Sequence, residues 1–431
     1  MLLIFTMKCM ENFRMIVKVL FLFLLFSIAV YANDNNETAS SDINESKENN
    51  TSVIDPDKLV KIEDTSGLTE DEVRQVAKKI DKQEKKKKIN KPAHKVRWED
   101  LSPTPIHYDW VQTKSGEWFK GTIKGMYDDK LEFDSDEVGL YTFDFEDIVR
   151  IKSYHLISVN VGNLASINGI LRLNGDKVTI IQGENKYEFK KEDIVSFAPD
   201  AKLEKNFWSG KITFSFDMRS GNTNQIDYSA QAHLKRRTAI SSLSFDYLGR
   251  ISSKDSEETA NDHRVNEKYD RYITRKFFWT PVFSEYYTDK YKNITYQITL
   301  GAGIGYTLIN TKETFWSFSG GPAVIYTKYT TVENGKNTSG YSPAIELSTK
   351  FEQELSAITD FTYDYKMTFS DKTAGVYKHH MILKFENELL SWLDVDLTGI
   401  WDYVAEPKED GSGKIPLKND YQFLLGFGIE F

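Results

Sequence analysis

Asn419-Asp420-Tyr421-Gln422-Phe423-Leu424-Leu425-Gly426-Phe427-Gly428-Ile429-Glu430-Phe431 are the last residues of the sequence, and every odd position from 421 to 431 is apolar. Between them lie Gln422, Gly426, Gly428 and Glu430. Successive side chains of a strand point to opposite faces, so this stretch has one wholly apolar face and one that is mostly small or polar. Such a strand suits a membrane β-barrel, whose outside meets lipid and whose lumen is polar.

Working backwards, the same alternation recurs. Leu393, Val395, Leu397, Trp401 and Tyr403 oppose Asp394, Asp396, Thr398 and Asp402, and Tyr377, Met381, Leu383 and Phe385 oppose Lys378, His380, Lys384 and Glu386. About twelve strands are predicted: 208–218, 226–236, 239–250, 263–274, 277–288, 294–309, 313–328, 341–352, 357–369, 375–388, 391–404 and 419–431. The fourth, fifth and seventh are the least regular. Connections after odd strands are long and polar, as at 251–262, 329–340 and 405–418; those after even strands are short. That asymmetry predicts extracellular loops on one side and periplasmic turns on the other, with both barrel ends in the periplasm. Trp208, Tyr228, Trp279, Tyr306, Trp316 and Trp401 sit near strand ends, where interfacial girdles belong. A soluble β-sandwich also alternates but has no use for such girdles.

Composition agrees. Mean hydropathy is −0.48, which excludes a helical bundle but not a barrel that hides its apolar residues at every second position. Aromatic residues make up 13%, with 23 Tyr and 27 Phe. A net charge of −9 gives no support for a nucleic-acid partner. The lone cysteine, Cys9, is uninformative about redox compartment.

Ahead of the barrel three regions are expected. Residues 1–32 read as a signal peptide: Lys8, Arg14 and Lys18 precede the apolar run 19–26, and Val30-Tyr31-Ala32 supplies the cleavage site. Met7, Met10 and Met15 are alternative starts. Residues 33–97 are too polar to bury a core and read as a disordered linker, with a short solvated helix over 69–88. Three sequons there, at Asn36, Asn44 and Asn50, each have an acid two residues upstream (Asp34, Asp42, Glu48). They resemble the acceptor sites of bacterial periplasmic N-glycosylation. The lysines at 85–88 are a solvated face, or a contact for an anionic periplasmic polymer or membrane.

Residues 108–199 contain an internal repeat, approximately 108–151 and 157–199. Gly121-Thr122-Ile123, Lys130-Leu131-Glu132-Phe133 and Glu146-Asp147-Ile148-Val149 recur as Gly169-Ile170-Leu171, Lys177-Val178-Thr179-Ile180 and Glu192-Asp193-Ile194-Val195. The expectation is a periplasmic domain of two small SH3-like or Sm-like β-barrels, with Glu-Asp turning the chain into a closing strand. The fold class is therefore all-β: a C-terminal transmembrane barrel over 207–431 preceded by that β-repeat domain.

At Trp208-Ser209-Gly210, Ser220-Gly221-Asn222-Thr223 and Gly301-Ala302-Gly303-Ile304-Gly305-Tyr306 the chain resembles the YdiY-like family of outer-membrane proteins, described as salt-induced and itself a domain of unknown function. The resemblance covers about 207–431 and implies a location and a fold. It brings no catalytic residues. The aromatic Phe431 also resembles the signal read by the barrel-assembly machinery.

Chemistry is sparse. Gly301-x-Gly303-x-Gly305 lacks the spacing and the strand-to-helix context of a nucleotide loop and reads as small lumen-facing residues. His379 and His380 fall on opposite faces of one strand, a poor arrangement for a metal. Lumen candidates are Asp227, His233, Lys235, Asp364, Lys366, Lys378, His380, Lys384, Asp394 and Asp396, whose mixed signs predict an internal salt-bridge network. Three functions follow in order: a non-enzymatic envelope protein, with no cofactor, lying in outer-membrane lipid and contacting a periplasmic polymer or envelope protein; a narrow solute or ion channel; and a lipid hydrolase using His379.

Overall fold

The computed structural model describes residue 78 and residues 107–135, 139–162, 166–200, 204–219, 225–311, 313–332, 337–390 and 392–430. The expected leader, the linker with Asn36, Asn44 and Asn50 (apart from Lys78, which is helical), and Phe431 lie outside the described residues.

Nine strands precede the barrel: β1 (Asp109–Thr113), β2 (Trp118–Tyr127), β3 (Lys130–Ser135), β4 (Gly139–Asp144), β5 (Ile148–Asn160), β6 (Ser166–Asn174), β7 (Lys177–Gln182), β8 (Asn185–Lys190) and β9 (Ser196–Pro199). The Glu-Asp pairs form single 3-10 turns, Phe145–Asp147 and Lys191–Asp193, each leading towards the last strand of its half. In the second turn the Asp193 carboxylate accepts the backbone N–H of Lys190 at 3.1 Å. The repeat is visible as strand order: β5-β1-β2-β3-β4 in the first half, β9-β5-β6-β7-β8 in the second. In place of two separate small barrels, however, the halves share the long β5 and form one nine-stranded sheet. One apolar core, with Val111, Ile123, Phe133, Ile157, Leu171 and Phe197, serves both. The sharing follows from length, since β5 at 13 residues is long enough to close one half and open the other.

The buried carboxylate of Asp109 fastens this domain. It accepts the backbone N–H groups of Ile123 (2.9 Å), Tyr154 (2.6 Å) and His155 (3.2 Å), tying β1 to β2 and β5.

Twelve antiparallel strands then close on themselves: β10 (Trp208–Arg219), β11 (Gln225–Arg237), β12 (Ser241–Lys254), β13 (Glu257–Tyr272), β14 (Phe277–Asp289), β15 (Ile294–Asn310), β16 (Thr314–Tyr329), β17 (Ser339–Ser356), β18 (Thr359–Ser370), β19 (Tyr377–Leu390), β20 (Leu393–Val404) and β21 (Asn419–Glu430). The closing pair is β10 with β21, in register Lys211↔Glu430 to Phe214↔Phe427. The expected loop 251–262 is mostly strand. β12 and β13 run on to a two-residue turn at Asp255 (φ 51°) and Ser256 (φ 72°), the left-handed pair that matches hairpin twist. Polar residues on both faces made that extension look like a loop; beyond the bilayer, both faces of a strand meet water.

Phe214, Phe216, Leu300, Ile304, Val324, Ile345 and Phe423 are exposed on the outer face, as lipid-facing residues should be. The outer positions of β12 to β14 differ: Leu243, Phe245, Val265 and Tyr269 are buried there, together with His263 and Glu267, and Ser284 donates to Glu267 at 3.1 Å.

Candidate functional site in the barrel lumen

Register decides which side chains face inward. Paired positions Lys211↔His233↔Asp246↔Asn266↔Glu285 share one face, opposite Phe214 and Ile304. Carried round the barrel, the same parity places Asp227, His233, Lys235, Asp364, Lys366, Lys378, His380, Lys384, Asp394 and Asp396 on the lumen side. His379 falls on the outer face. Tyr365 lies 2.6 Å from its Nδ1, and its ring stacks on Trp401 at 5.6 Å. His380, on the inner face, meets Asp402 at 2.9 Å.

Across the middle of the lumen, residues from distant strands join. Arg264 on β13 donates to Glu285 (3.0 Å) and to Asp402 on β20 (3.0 Å). Lys366 on β18 reaches Glu285 as well, and Asn266 at 3.2 Å; Lys378 on β19 reaches Gln297 on β15 at 2.6 Å. The Arg264 guanidinium also lies over the Tyr287 ring, 4.5 Å from its centroid. These bonds bridge opposite walls, so they form a bar across the barrel. Charge-assisted bonds in a low-dielectric interior are the stronger kind.

Nearer the short-turn end a second cluster lies along one wall. Lys211 bonds Glu386, Asp394 (2.6 Å) and Asp396 (3.2 Å), and Lys384 bonds Glu386 (3.0 Å) and Asp396 (3.3 Å). Glu386, Asp394 and Glu430 place carboxylate oxygens within 4.8 Å of one another, a spacing a cation could use. The Lys211 ammonium already pairs with all three, Glu430 at 3.7 Å.

Gly301, Gly303 and Gly305 face the lumen too. A Cβ on Gly301 would stand 2.3 Å from the Phe283 ring, and one on Gly305 2.1 Å from the Phe278 ring, so the glycines make room for these aromatics.

The short-turn mouth is covered by the β2–β3 hairpin, whose tip Asp128 (φ 50°) and Asp129 (φ 63°) forms another left-handed two-residue turn. Arg237, at the end of β11, holds Glu132 with two bonds of 2.7 and 3.0 Å and lies over Tyr127. Arg275, in the turn after β13, bonds Asp129 (2.8 Å) and the carbonyls of Ile194 (2.6 Å) and Lys191. Tyr127, Ala198 and Ala239 pack with Tyr272, and Ser196 donates to the carbonyl of Ala239. Lys235 and Arg237 face Asp128 from the barrel, while Glu352 and Glu313 face Lys130. The hairpin is thus met from several sides of the mouth. Burial there pushes the Asp128 carboxyl up to about 6, against the opposing pull of Lys235 and Arg237.

None of these partnerships was legible from single strands. Alternation tells which face a charge takes, not which strand stands opposite; Arg264, Glu285 and Asp402 had the right parity but carried no pairwise signal. The docking arginines lie at strand ends, where they read as ordinary turn residues.

A family model described as "Protein of unknown function, DUF481" matches residues 212–431. The chain belongs to that family. The description assigns the family no function, in keeping with the resemblance seen in the sequence. No curated protein matches the chain. Among solved structures it is similar to the NanC porin (7% identity, TM-score 0.32, covering 52% of this chain and 100% of that one). It is also similar to an outer-membrane channel from Pseudomonas putida F1 (10%, TM-score 0.32, 52% and 95%) and to the outer-membrane OmpT of Vibrio cholerae (12%, TM-score 0.22, 66% and 95%). At these identities the likeness is one of fold alone.

Proposed function

We propose that this protein is a non-enzymatic outer-membrane barrel, closed at rest, that holds its β-repeat domain in the periplasm against the inner mouth and serves envelope organisation or stress adaptation. The observation that carries this reading is the bar of Arg264, Glu285, Asp402 and Lys366 across the lumen, reinforced by the β2–β3 hairpin at one end. Breaking such a bar exposes several charges at once, and a buried charge left without its partner is costly. The outer apolar band takes outer-membrane lipid, and the barrel-assembly machinery inserts it. The outer surface of the β-domain is left for a periplasmic polymer or an envelope protein.

A short peptide epitope in the β7–β8 turn should be cut or labelled only after the outer membrane is breached, while one in loop 405–418 should be reached in intact cells. Surface access to the β7–β8 epitope would overturn the orientation. The second reading, a narrow channel, is favoured by the polarity of the lumen. Proteoliposomes holding the full chain separate the two: the closed reading expects no swelling in iso-osmotic sugar, and swelling supports a channel.

A further inference from the structure

The long-loop end holds a cavity the bar does not fill. Loop 405–418 leaves β20, and its tip is fixed by Asp410, which accepts the backbone N–H groups of Ser412 (2.8 Å) and Lys414 (2.9 Å). The Gly411 N–H then donates to Thr331 Oγ1 at 3.0 Å, beyond the end of β16. Three strands separate β16 from β20 around the wall, so the loop lies across the mouth. Beneath it is a cavity of about 60 Å³, floored by Arg264, Lys366 and Lys378 and roofed by Pro407, Lys408 and Leu417. At the ~15 Å³ needed to seat one water, that is room for about four, the size of a phosphate or a short carboxylate.

Charge sets the chemistry. Five cations line the cavity (Arg264, Lys292, Lys366, Lys378, Lys408) against three carboxylates (Glu285, Asp402, Glu406). Arg264 and Lys366 share Glu285. Asp402 is divided between Arg264 and His380. Lys292 is answered from outside the lining, by Asp420 at 3.2 Å and Asp289 at 3.7 Å. Glu346, the other carboxylate facing Lys366 and Lys378, makes no ion pair with either among the described residues. Lys378 bonds only the neutral Gln297 amide there; Glu285 and Glu346 face its charge without a direct ion pair, which leaves its remaining N–H groups for something else.

We infer that this cavity binds a small oxyanion, a phosphate or a carboxylate, with Lys378 as its main ligand and Lys408 closing over it from the loop. Arg264 and Lys366 contribute field from the floor. The enclosed site strengthens each charge-assisted bond, and the loop must lift for the anion to enter.

The test is calorimetric titration of the full chain in detergent micelles with inorganic phosphate and, separately, acetate, at constant ionic strength set with chloride. Saturable binding of one anion per chain is expected for at least one of them, and which one identifies the oxyanion class. Lys378→Gln should weaken it by about tenfold or more, the worth of one charge-assisted hydrogen bond. Lys408→Ala should weaken it as well, and it leaves the lumen wall untouched if the first variant folds poorly. Lys384→Gln, in the separate cluster near the other end, should bind as the native chain does. No saturable heat with either anion, or an affinity equal to the native chain's in both cavity variants, overturns the site.

Discussion

Single residues in this protein are placed by partners far away in sequence, and substitutions should act through those partners. Asp109→Ala removes the acceptor of three backbone N–H groups and should lower the stability of the β-domain by about 3 kcal/mol, read as an earlier urea midpoint. Gly303→Ala brings a Cβ within 2.6 Å of the Gly320 carbonyl oxygen, backbone that has little room to yield. It should destabilise the barrel by about 1–3 kcal/mol in unfolding from micelles. Asp128 sets a pH dependence. Its carboxyl binds a proton more readily in the docked hairpin (about 6) than when free (3.8). Docking is therefore favoured in acid and weakens as pH rises from about 4 to 6. Asp128→Asn should flatten that dependence when protease cleavage of the β-domain is followed against pH; an unchanged profile would assign it elsewhere.

Elements show what alternation can and cannot tell. Twelve strands were readable because each needs an apolar outer face: β21, with Tyr421 to Ile429 outward, is ordered as its sequence says. The weakest stretch was 251–274. There β13 carries His263 and Glu267 outward and runs past the apolar zone, so periodicity placed its start six residues late, at 263 instead of Glu257. The repeat was legible as motif, but its fusion into one sheet was not, because the register of β5 with both β1 and β6 is a tertiary fact. Of the candidate site, the lumen face of ten residues could be read; the bar and the hairpin depend on which strands stand opposite after closure. The hairpin contact is testable as an element. Arg237→Ala with Arg275→Ala removes the bonds to Glu132 and Asp129, worth about 1–3 kcal/mol each as charge-assisted contacts. The expected result is faster proteolysis of the β-domain with an unaltered barrel.

At the scale of the whole molecule, three layers obstruct one path: loop 405–418, the Arg264 bar, and the β2–β3 hairpin. Each closes the lumen at a different height, so loss of one should leave the others in place. Single-channel recording of the full chain in planar bilayers addresses the closed barrel most directly. The native protein is expected to give no steady openings at low voltage. Openings should emerge when Arg264→Ala, Arg237→Ala and Arg275→Ala are combined with removal of the loop tip at 409–414. Stable openings from the native chain, unchanged by those substitutions, would contradict the account.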